Sequence, residues 1–170
     1  MRVQPWVSLA ARLGLAAVWL VSGAIKAADP LQTEVAVRAY QLLPESLVGL
    51  VATTLPFLEI GLGLLLLLGV GVRPVAVASV ALLAVFLAGV ASSWARGLSI
   101  DCGCFGGGGA ADVGPLDYLA EIARDGGFVL LALWLVARPR TPFAVGPGSQ
   151  VPPGWPDTEP GDDTGGGQRA

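Results

Sequence analysis

The stretch LVGLVATTLPFLEIGLGLLLLLGV, residues 47–70, is apolar over almost its whole length and carries one charged residue, Glu59. A helix needs about 20 apolar residues to cross the hydrocarbon core of a bilayer, so this stretch predicts a transmembrane helix. The rest of the chain agrees, because 54% of its residues are hydrophobic and only 14% are charged, unlike an average soluble domain. We therefore predict an integral membrane protein.

Residues 7–25 and 75–94 form two further apolar stretches of spanning length. A cleaved signal peptide is the alternative for residues 7–25, but the run is long for one and no small-x-small cleavage site is clearly placed before Lys26. Asp29-Pro30 ends this first stretch, because proline cannot continue the helical hydrogen-bond ladder. The tight turn at residues 69–74 predicts that the second and third helices form an antiparallel hairpin.

A fourth span is predicted over residues 116–137, although its first half is charged. Helical spacing places Asp117, Glu121 and Arg124 on one face, and ionisable groups within membranes usually face the interior of a helix bundle. We therefore favour a spanning helix over a re-entrant segment. The prediction is an all-α, integral membrane four-helix bundle formed by residues 1–138.

The remaining segments are predicted to lie outside the bundle. Residues 31–44 connect the first two spans, with a short amphipathic helix around residues 35–42 near the interface. Residues 139–170 are rich in Pro, Gly, Asp and Thr. Such a tail cannot bury enough apolar surface to offset the entropy of ordering, so it is predicted to be disordered.

The cationic residues predict how the bundle is oriented. Four spans place both termini and the turn containing Arg73 on one side. Five arginines then lie on that side: Arg2, Arg12, Arg73, Arg138 and Arg140. They stand against Lys26, Arg38, Arg96 and Arg124 on the other. The positive-inside rule, by a small margin, favours cytoplasmic termini in the cell membrane and a segment 96–115 on the outer face.

That outer segment contains the only two cysteines, Cys102 and Cys104, separated by Gly103. The spacing brings two Cα atoms within the distance that a disulfide can bridge, and Gly103 has no Cβ to clash in so small a ring. Such a bridge would be strained, and a strained disulfide is easier to reduce than a structural one. The pair is therefore predicted to be redox-active, with one thiolate forming a mixed disulfide that the other resolves.

Other uses of these cysteines remain open. An inert bridge would stabilise the fold little, because the closed loop is so short. Two thiolates could also bind Cu(I), and zinc would need further ligands. Asp101 would raise the pKa of the Cys102 thiol unless Arg96 or Arg124 offsets it.

Composition excludes several other functions. The chain has no histidine, which removes the commonest general base and transition-metal ligand. Its net charge of -3 without a basic run gives no sign of nucleic-acid binding. The glycine run 106–109 lacks the lysine of a phosphate-binding loop.

Two features predict how the helices pack. Glu59 is costly to bury alone, so we expect it to pair with Lys26 or Arg124. That pair would either fix the helix packing or handle the protons of redox chemistry. Gly61 and Gly63 are expected to mark close contacts between helices.

Several short motifs together resemble the methylamine-utilisation MauE family, within the wider DoxX-like group of small four-helix membrane proteins. The Cys-Gly-Cys-Phe-Gly element is the specific one, and the others are weak individually. The specific motif is part of DCGCFG at 101–106. The weaker motifs are SGAIK at 22–26, YQLLP at 40–44, LPFLE at 55–59 and ARD at 123–125.

The resemblance implies a membrane accessory protein associated with maturation of periplasmic methylamine dehydrogenase, whose small subunit is rich in disulfides. Cys102 and Cys104 would match the redox pair of the family, and Glu59, Lys26 and Arg124 its polar positions. With two cysteines the chain cannot relay electrons internally, so the pair would meet a quinone itself or pass electrons to another protein. Whether the chain is a thiol–disulfide oxidoreductase component or a non-enzymatic scaffold for an exported partner stays open.

Overall fold

The computed structural model describes residues 4–101, 108–110 and 114–145. Its five helices are α1 (Gln4–Ala28), α2 (Pro30–Ala39), α3 (Glu45–Leu68), α4 (Val72–Ala95) and α5 (Pro115–Ala137). Two residue pairs form the antiparallel strands β1 (Ile100–Asp101) and β2 (Gly109–Ala110). The predicted all-α membrane architecture is confirmed, with this small β-pairing as an addition.

Among the described helices, α1, α3 and α4 are long and apolar enough to cross a membrane. α5 corresponds to the fourth predicted span, but its charged first half keeps it outside that group. Its crossing of the membrane therefore remains a prediction. Cys102, Cys104 and the predicted tail beyond residue 145 lie outside the described residues.

The connector after α1 is more helical than its composition predicts. α2 begins at Pro30 because the Asp29 side chain caps it, accepting a hydrogen bond of 3.0 Å from the Gln32 amide. Proline at the first helical position costs nothing, since its missing N–H would have no partner there. The Asp-Pro pair that ends α1 thus also starts α2, several residues before the predicted helix at 35–42.

The turn between α3 and α4 depends on two glycines in the left-handed region. Gly69 has φ 70° and Gly71 has φ 56°, a conformation that glycine adopts without steric cost. Arg73 and Pro74 therefore lie in the first turn of α4 and not in the turn itself, where proline is tolerated. The predicted hairpin is present, although α3 and α4 contact each other little beyond it.

The long helices run alternately up and down. α1 packs mainly on α3 and α4 mainly on α5, and α5 also contacts α1. Their shared core consists of large apolar side chains, among them Leu15, Trp19, Leu66, Leu83 and Leu135. Bulky apolar residues on all the long helices also face outward, as lipid contact requires: Leu13, Leu50, Phe57, Val85 and Leu130 are all largely exposed.

The first residues of α1 and the last of α5 lie at the same end of the bundle. There the Trp134 indole donates a hydrogen bond of 3.1 Å to the Ser8 hydroxyl. The chain then continues across this end. Arg12 Nη1, buried within α1, donates a bond of 2.9 Å to the buried hydroxyl of Thr141, and the Val145 amide donates one of 3.3 Å to the Leu68 carbonyl.

Residues 139–145 therefore do not follow the prediction of a disordered tail from residue 139. They are ordered because Thr141 and Ala144 are buried and because Thr141 supplies a partner for a guanidinium that is costly to bury alone. Sequence composition gave no sign of this contact, since its two partners are 129 positions apart.

The α1–α3 contact is close because two glycines lie in it. A Cβ added at Gly23 would lie 2.9 Å from the Pro56 carbonyl oxygen, and one at Gly63 would lie 2.7 Å from Cγ of Leu20. Gly61, which was expected to behave like Gly63, has open space around it. Glycines two positions apart point to different sides of a helix, so only one of them can face α1.

This difference gives a test of the α1–α3 interface. We expect Gly23→Ala to lower the free energy of unfolding by about 1–3 kcal/mol, because a backbone carbonyl cannot move away from the added methyl group. Gly61→Ala is the matched control and should change it by less than about 1 kcal/mol. Unfolding in mixed detergent micelles measures both variants, and equal losses would contradict the close contact.

Candidate functional site

A buried ion pair joins the last turn of α1 to the middle of α3. Lys26 Nζ lies 2.9 Å from Oε1 and 3.0 Å from Oε2 of Glu59. The Glu59 side chain is completely buried and that of Lys26 is 9% exposed. The prediction that Glu59 pairs with Lys26 or Arg124 is thus resolved in favour of Lys26.

Ser22 completes this pair, because it lies one helical turn before Lys26 on the same face of α1. Its hydroxyl donates to Oε2 of Glu59 at 3.1 Å and accepts from Lys26 Nζ at 2.6 Å. The ammonium also lies 5.8 Å from the centroid of the Phe86 ring on α4, within the range of a cation–π interaction. Both charges therefore have several partners, which favours a role in packing over one in proton transfer.

Arg124 lies elsewhere. Its Nε donates a hydrogen bond of 3.0 Å to Oδ1 of Asp125, the next residue on α5. Asp125 is the buried member of the pair, with a side chain 4% exposed against 35% for Arg124. Arg124, the alternative partner predicted for Glu59, bonds instead to the neighbouring carboxylate, and Lys26 pairs with Glu59.

The face of α5 that turns inward also differs from the prediction. Asp117 is exposed and accepts a hydrogen bond of 2.8 Å from the Gly114 amide, so it caps the start of the helix. Asp125 instead faces a small cavity of about 10 Å³ between α1, α4 and α5, next to Ser22 and Phe86. The polar side chain inside the bundle is thus the one that the helical-face argument left out.

A third polar contact joins α1 to α4. The Trp19 indole donates a bond of 3.0 Å to the Ser79 hydroxyl, which donates in turn to the Val75 carbonyl at 2.9 Å. Sequence reasoning missed it. The available signal was a tryptophan and a serine within apolar helices, since a buried indole N–H needs an acceptor.

The cysteine segment leaves and returns to the bundle at fixed points. β1 and β2 pair with Asp101 opposite Gly109. The residues before and after the 102–107 stretch therefore lie next to each other. On the β2 side, Nε2 of Gln32 on α2 donates a bond of 2.6 Å to the Gly108 carbonyl. A Cβ on Gly109, whose φ is 104°, would lie 3.0 Å from Val35, so α2 and β2 are in close contact.

On the β1 side the fixed point is Tyr118 on α5. Its hydroxyl donates to the Leu98 carbonyl at 2.6 Å and accepts from the Ile100 amide at 3.2 Å. The ring stacks on Trp94 of α4, with centroids 6.0 Å apart and an interplanar angle of 5°. The four residues before Cys102 are thus attached to both α4 and α5.

The predicted site residues therefore fall into separate places. Lys26 and Glu59 are brought together, Arg124 is on α5 beside Asp125, and the backbone of Asp101 belongs to β1. Cys102 and Cys104 lie outside the described residues, so their chemistry stays a prediction.

The fold and these contacts define an all-α membrane protein whose apolar helices are joined by buried polar contacts. The chain belongs to the MauE family, since the profile of the family described as methylamine utilisation protein MauE matches residues 4–138. It is similar to the methylamine utilization protein MauE of Paracoccus denitrificans, with 34% identity over 144 residues, which cover 84% of this chain and 74% of that protein. No solved structure matches it significantly.

The buried ion pair gives a second prediction. Lys26→Met or Glu59→Met should each lower the free energy of unfolding by about 3–5 kcal/mol, because each leaves one buried charge without its partner. The double variant should lose much less than the sum, since it leaves no unpaired charge. Mixed-micelle unfolding of the four proteins measures the coupling, and additive losses would contradict it.

Arg38 provides the control for that cycle. On the exposed connector helix its guanidinium bonds to Glu45 and Glu34, which raise the pKa of Arg38 above its usual value. Because water solvates these groups well, Arg38→Gln should leave the unfolding midpoint unchanged.

Proposed function

We propose that this chain is a membrane-embedded redox accessory protein whose Cys102–Cys104 pair exchanges disulfides with an exported partner. The observation that carries the proposal is the fixing of the cysteine segment on both sides, by Tyr118 and by Gln32. Asp101 and Gly109, on either side of the stretch of sequence that holds the cysteines, are paired, so that stretch begins and ends at the same place on the bundle. The cysteines are the only thiols in the chain, so any exchange would use this pair.

The exchange needs only the Cys102–Cys104 disulfide and two thiols of the partner. A partner thiolate attacks one sulfur of the Cys102–Cys104 disulfide, forms a mixed disulfide and releases the other sulfur as a thiolate. A second partner thiolate then attacks the mixed disulfide. The partner gains a disulfide and this chain holds two thiols, so two electrons and two protons have moved. The reverse sequence reduces the partner, and a quinone or a second thiol protein would restore the starting state.

The orientation proposed for this chemistry has cytoplasmic termini and the cysteine segment outside. It is supported by the common position of the start of α1 and the end of α5, and by the small excess of arginines predicted for that side. It requires α5 to span the membrane. The inward position of Asp125 supports this, because it removes one carboxylate from the lipid-facing surface.

The proposed partner is an exported enzyme of methylamine utilisation, because the similar Paracoccus protein is named for that process. A client rich in disulfides needs the correct pairs to form after export, where oxidised thiols persist. The polar pair Lys26–Glu59 would act indirectly, by keeping α1 and α3 in register beneath the connector helix α2.

The first test measures orientation and redox state together. Cys102 and Cys104 should react with a membrane-impermeant maleimide in intact cells after mild reduction, and should be protected before it. Single reporters in the Cys102→Ser, Cys104→Ser background serve as matched controls at the two ends. Ser46→Cys should be labelled from outside, and Val145→Cys, at a residue that is 69% exposed, only after permeabilisation. The opposite labelling pattern would overturn the orientation.

The second test separates redox chemistry from scaffolding. The double variant Cys102→Ser, Cys104→Ser should reach wild-type levels in the membrane but fail to support accumulation of the oxidised client. A single Cys104→Ser or Cys102→Ser variant should trap a mixed disulfide that reductant releases. Ser99→Ala, in the same segment, should behave as wild type. Normal client accumulation with the double variant would show that the protein acts as a scaffold.

A further inference from the structure

One end of the bundle carries arginines and, among the residues that the structure describes, no carboxylate. This cationic end consists of the first turns of α1, the turn between α3 and α4, and residues 138–145. The bonds from Arg12 to Thr141 and from Val145 to Leu68 hold these parts together. Its arginines are Arg12, which is buried, and Arg73, Arg138 and Arg140, which are exposed.

The described carboxylate side chains lie at the opposite end or inside the bundle. They are Asp29, Glu34, Glu45, Glu59, Asp117, Glu121 and Asp125. Lysine and arginine are divided almost evenly between the two ends, so it is the position of the carboxylates that makes the ends unlike. The chain as a whole has a net charge of -3, yet one end of its bundle is positive.

The exposed arginines at this end have no role in their own helices that explains them. Arg73 lies in the first turn of α4, which contains no acidic residue. The start of a helix carries a partial positive charge and disfavours a cation. Arg138 Nη1 donates a bond of 2.7 Å to the amide oxygen of Gln4, a neutral partner that leaves the charge of Arg138 uncompensated. Both positions would gain from an anion supplied from outside the chain.

Large exposed side chains at the same end show how it meets a membrane. Phe143 is 81% exposed and Trp6 is 61% exposed. Phe143 has φ 59°, a conformation that is unfavourable for a bulky residue, and the bonds of Thr141 and Val145 hold the chain on both sides of it. An aromatic ring is thus kept outside the protein where the apolar helices end, the level at which aromatic residues are enriched in membrane proteins.

We propose that the cationic end is a binding surface for anionic phospholipids. α3 and α4 are long and apolar enough to cross a membrane, so the turn between them lies at the membrane surface and Arg73 at the level of the lipid phosphates. Arginine donates two parallel hydrogen bonds to a phosphate group. Phe143 and Trp6 would contact the same lipids beside the headgroups. This inference depends neither on the redox function nor on which way the chain faces.

The test measures lipid preference in vesicles that contain the full-length protein. Phosphatidylcholine is replaced stepwise by brominated phosphatidylglycerol or by brominated phosphatidylcholine, and the quenching of tryptophan fluorescence by each gives the preference for the anionic lipid. The variant Trp94→Phe, Trp155→Phe serves as the parent protein. It keeps exposed tryptophans at the cationic end, Trp6 and Trp134, while Trp19 is buried. This parent should prefer phosphatidylglycerol.

Loss of one arginine should weaken this preference by a predictable amount. Arg73→Gln and Arg138→Gln should each lower it by about fivefold, the contribution of one basic residue near an anionic surface. The double variant should lower it further. Arg38→Gln is the matched control, because Arg38 is exposed at the opposite end, and it should leave the preference unchanged.

Thermal midpoints in phosphatidylcholine vesicles show which variants are folded, and the two single arginine variants test the proposal independently. The rival occupant is the acidic part of the chain itself. Neutralising it with Asp157→Asn, Glu159→Gln, Asp162→Asn and Asp163→Asn should leave the preference unchanged. A rise in preference after this change would overturn the proposal in favour of the rival. Equal quenching of the parent by both lipids, or equal losses in Arg73→Gln and Arg38→Gln, would also overturn it.

Discussion

The structure depends on the ion pair between Lys26 and Glu59. An unpaired charge within a bilayer costs several kcal/mol, so neither side chain can be buried there without the other. Lipid provides no hydrophobic driving force for apolar helices to associate, so packing and hydrogen bonds must provide the free energy of association. The pair therefore fixes both the rotation and the height of α1 against α3, and Gly23 permits the approach that brings the charges within 3 Å.

α1 also forms side-chain hydrogen bonds with α4 and α5. Trp19 reaches Ser79 on α4, and Ser8 accepts from Trp134 on α5. Contacts of this type are worth about 0.6 kcal/mol each on average within membranes, but each is possible at only one rotation of α1. Together they explain why a helix with mixed polar and apolar residues lies at the centre, while the almost wholly apolar α3 and α4 present much of their surface outward.

Sequence reasoning was successful where one physical signal dominates. Hydrophobic runs of spanning length located the long helices, and the cost of a buried charge predicted a cationic partner for Glu59, either Lys26 or Arg124. It failed where the answer depends on helix rotation. α3 is apolar on every side, so the pattern could not show that Gly63 and not Gly61 faces α1. On α5 the spacing of Asp117, Glu121 and Arg124 suggested a face, but capping by Asp117 removed one member and Asp125 turned inward.

The contacts on either side of the cysteine segment could not be predicted from the sequence for a different reason. Tyr118 and Gln32 donate hydrogen bonds to backbone carbonyls, which every residue possesses. The residue types at Leu98 and Gly108 therefore do not predict these bonds. Such contacts follow only from the three-dimensional path of the chain. The motif containing the cysteines could thus be recognised from sequence, whereas the hydrogen bonds made by Tyr118 and Gln32 on either side of it could not.

The bond from Arg12 to Thr141 has a consequence for how the protein is made. Ribosomes synthesise Arg12 129 positions before Thr141, so α1 enters the membrane with its guanidinium lacking this acceptor. The bond can therefore form only after α5 and Thr141 have been made. Closing of this end of the bundle follows synthesis of residues 139–145, which lie just beyond the stretch matched by the family profile.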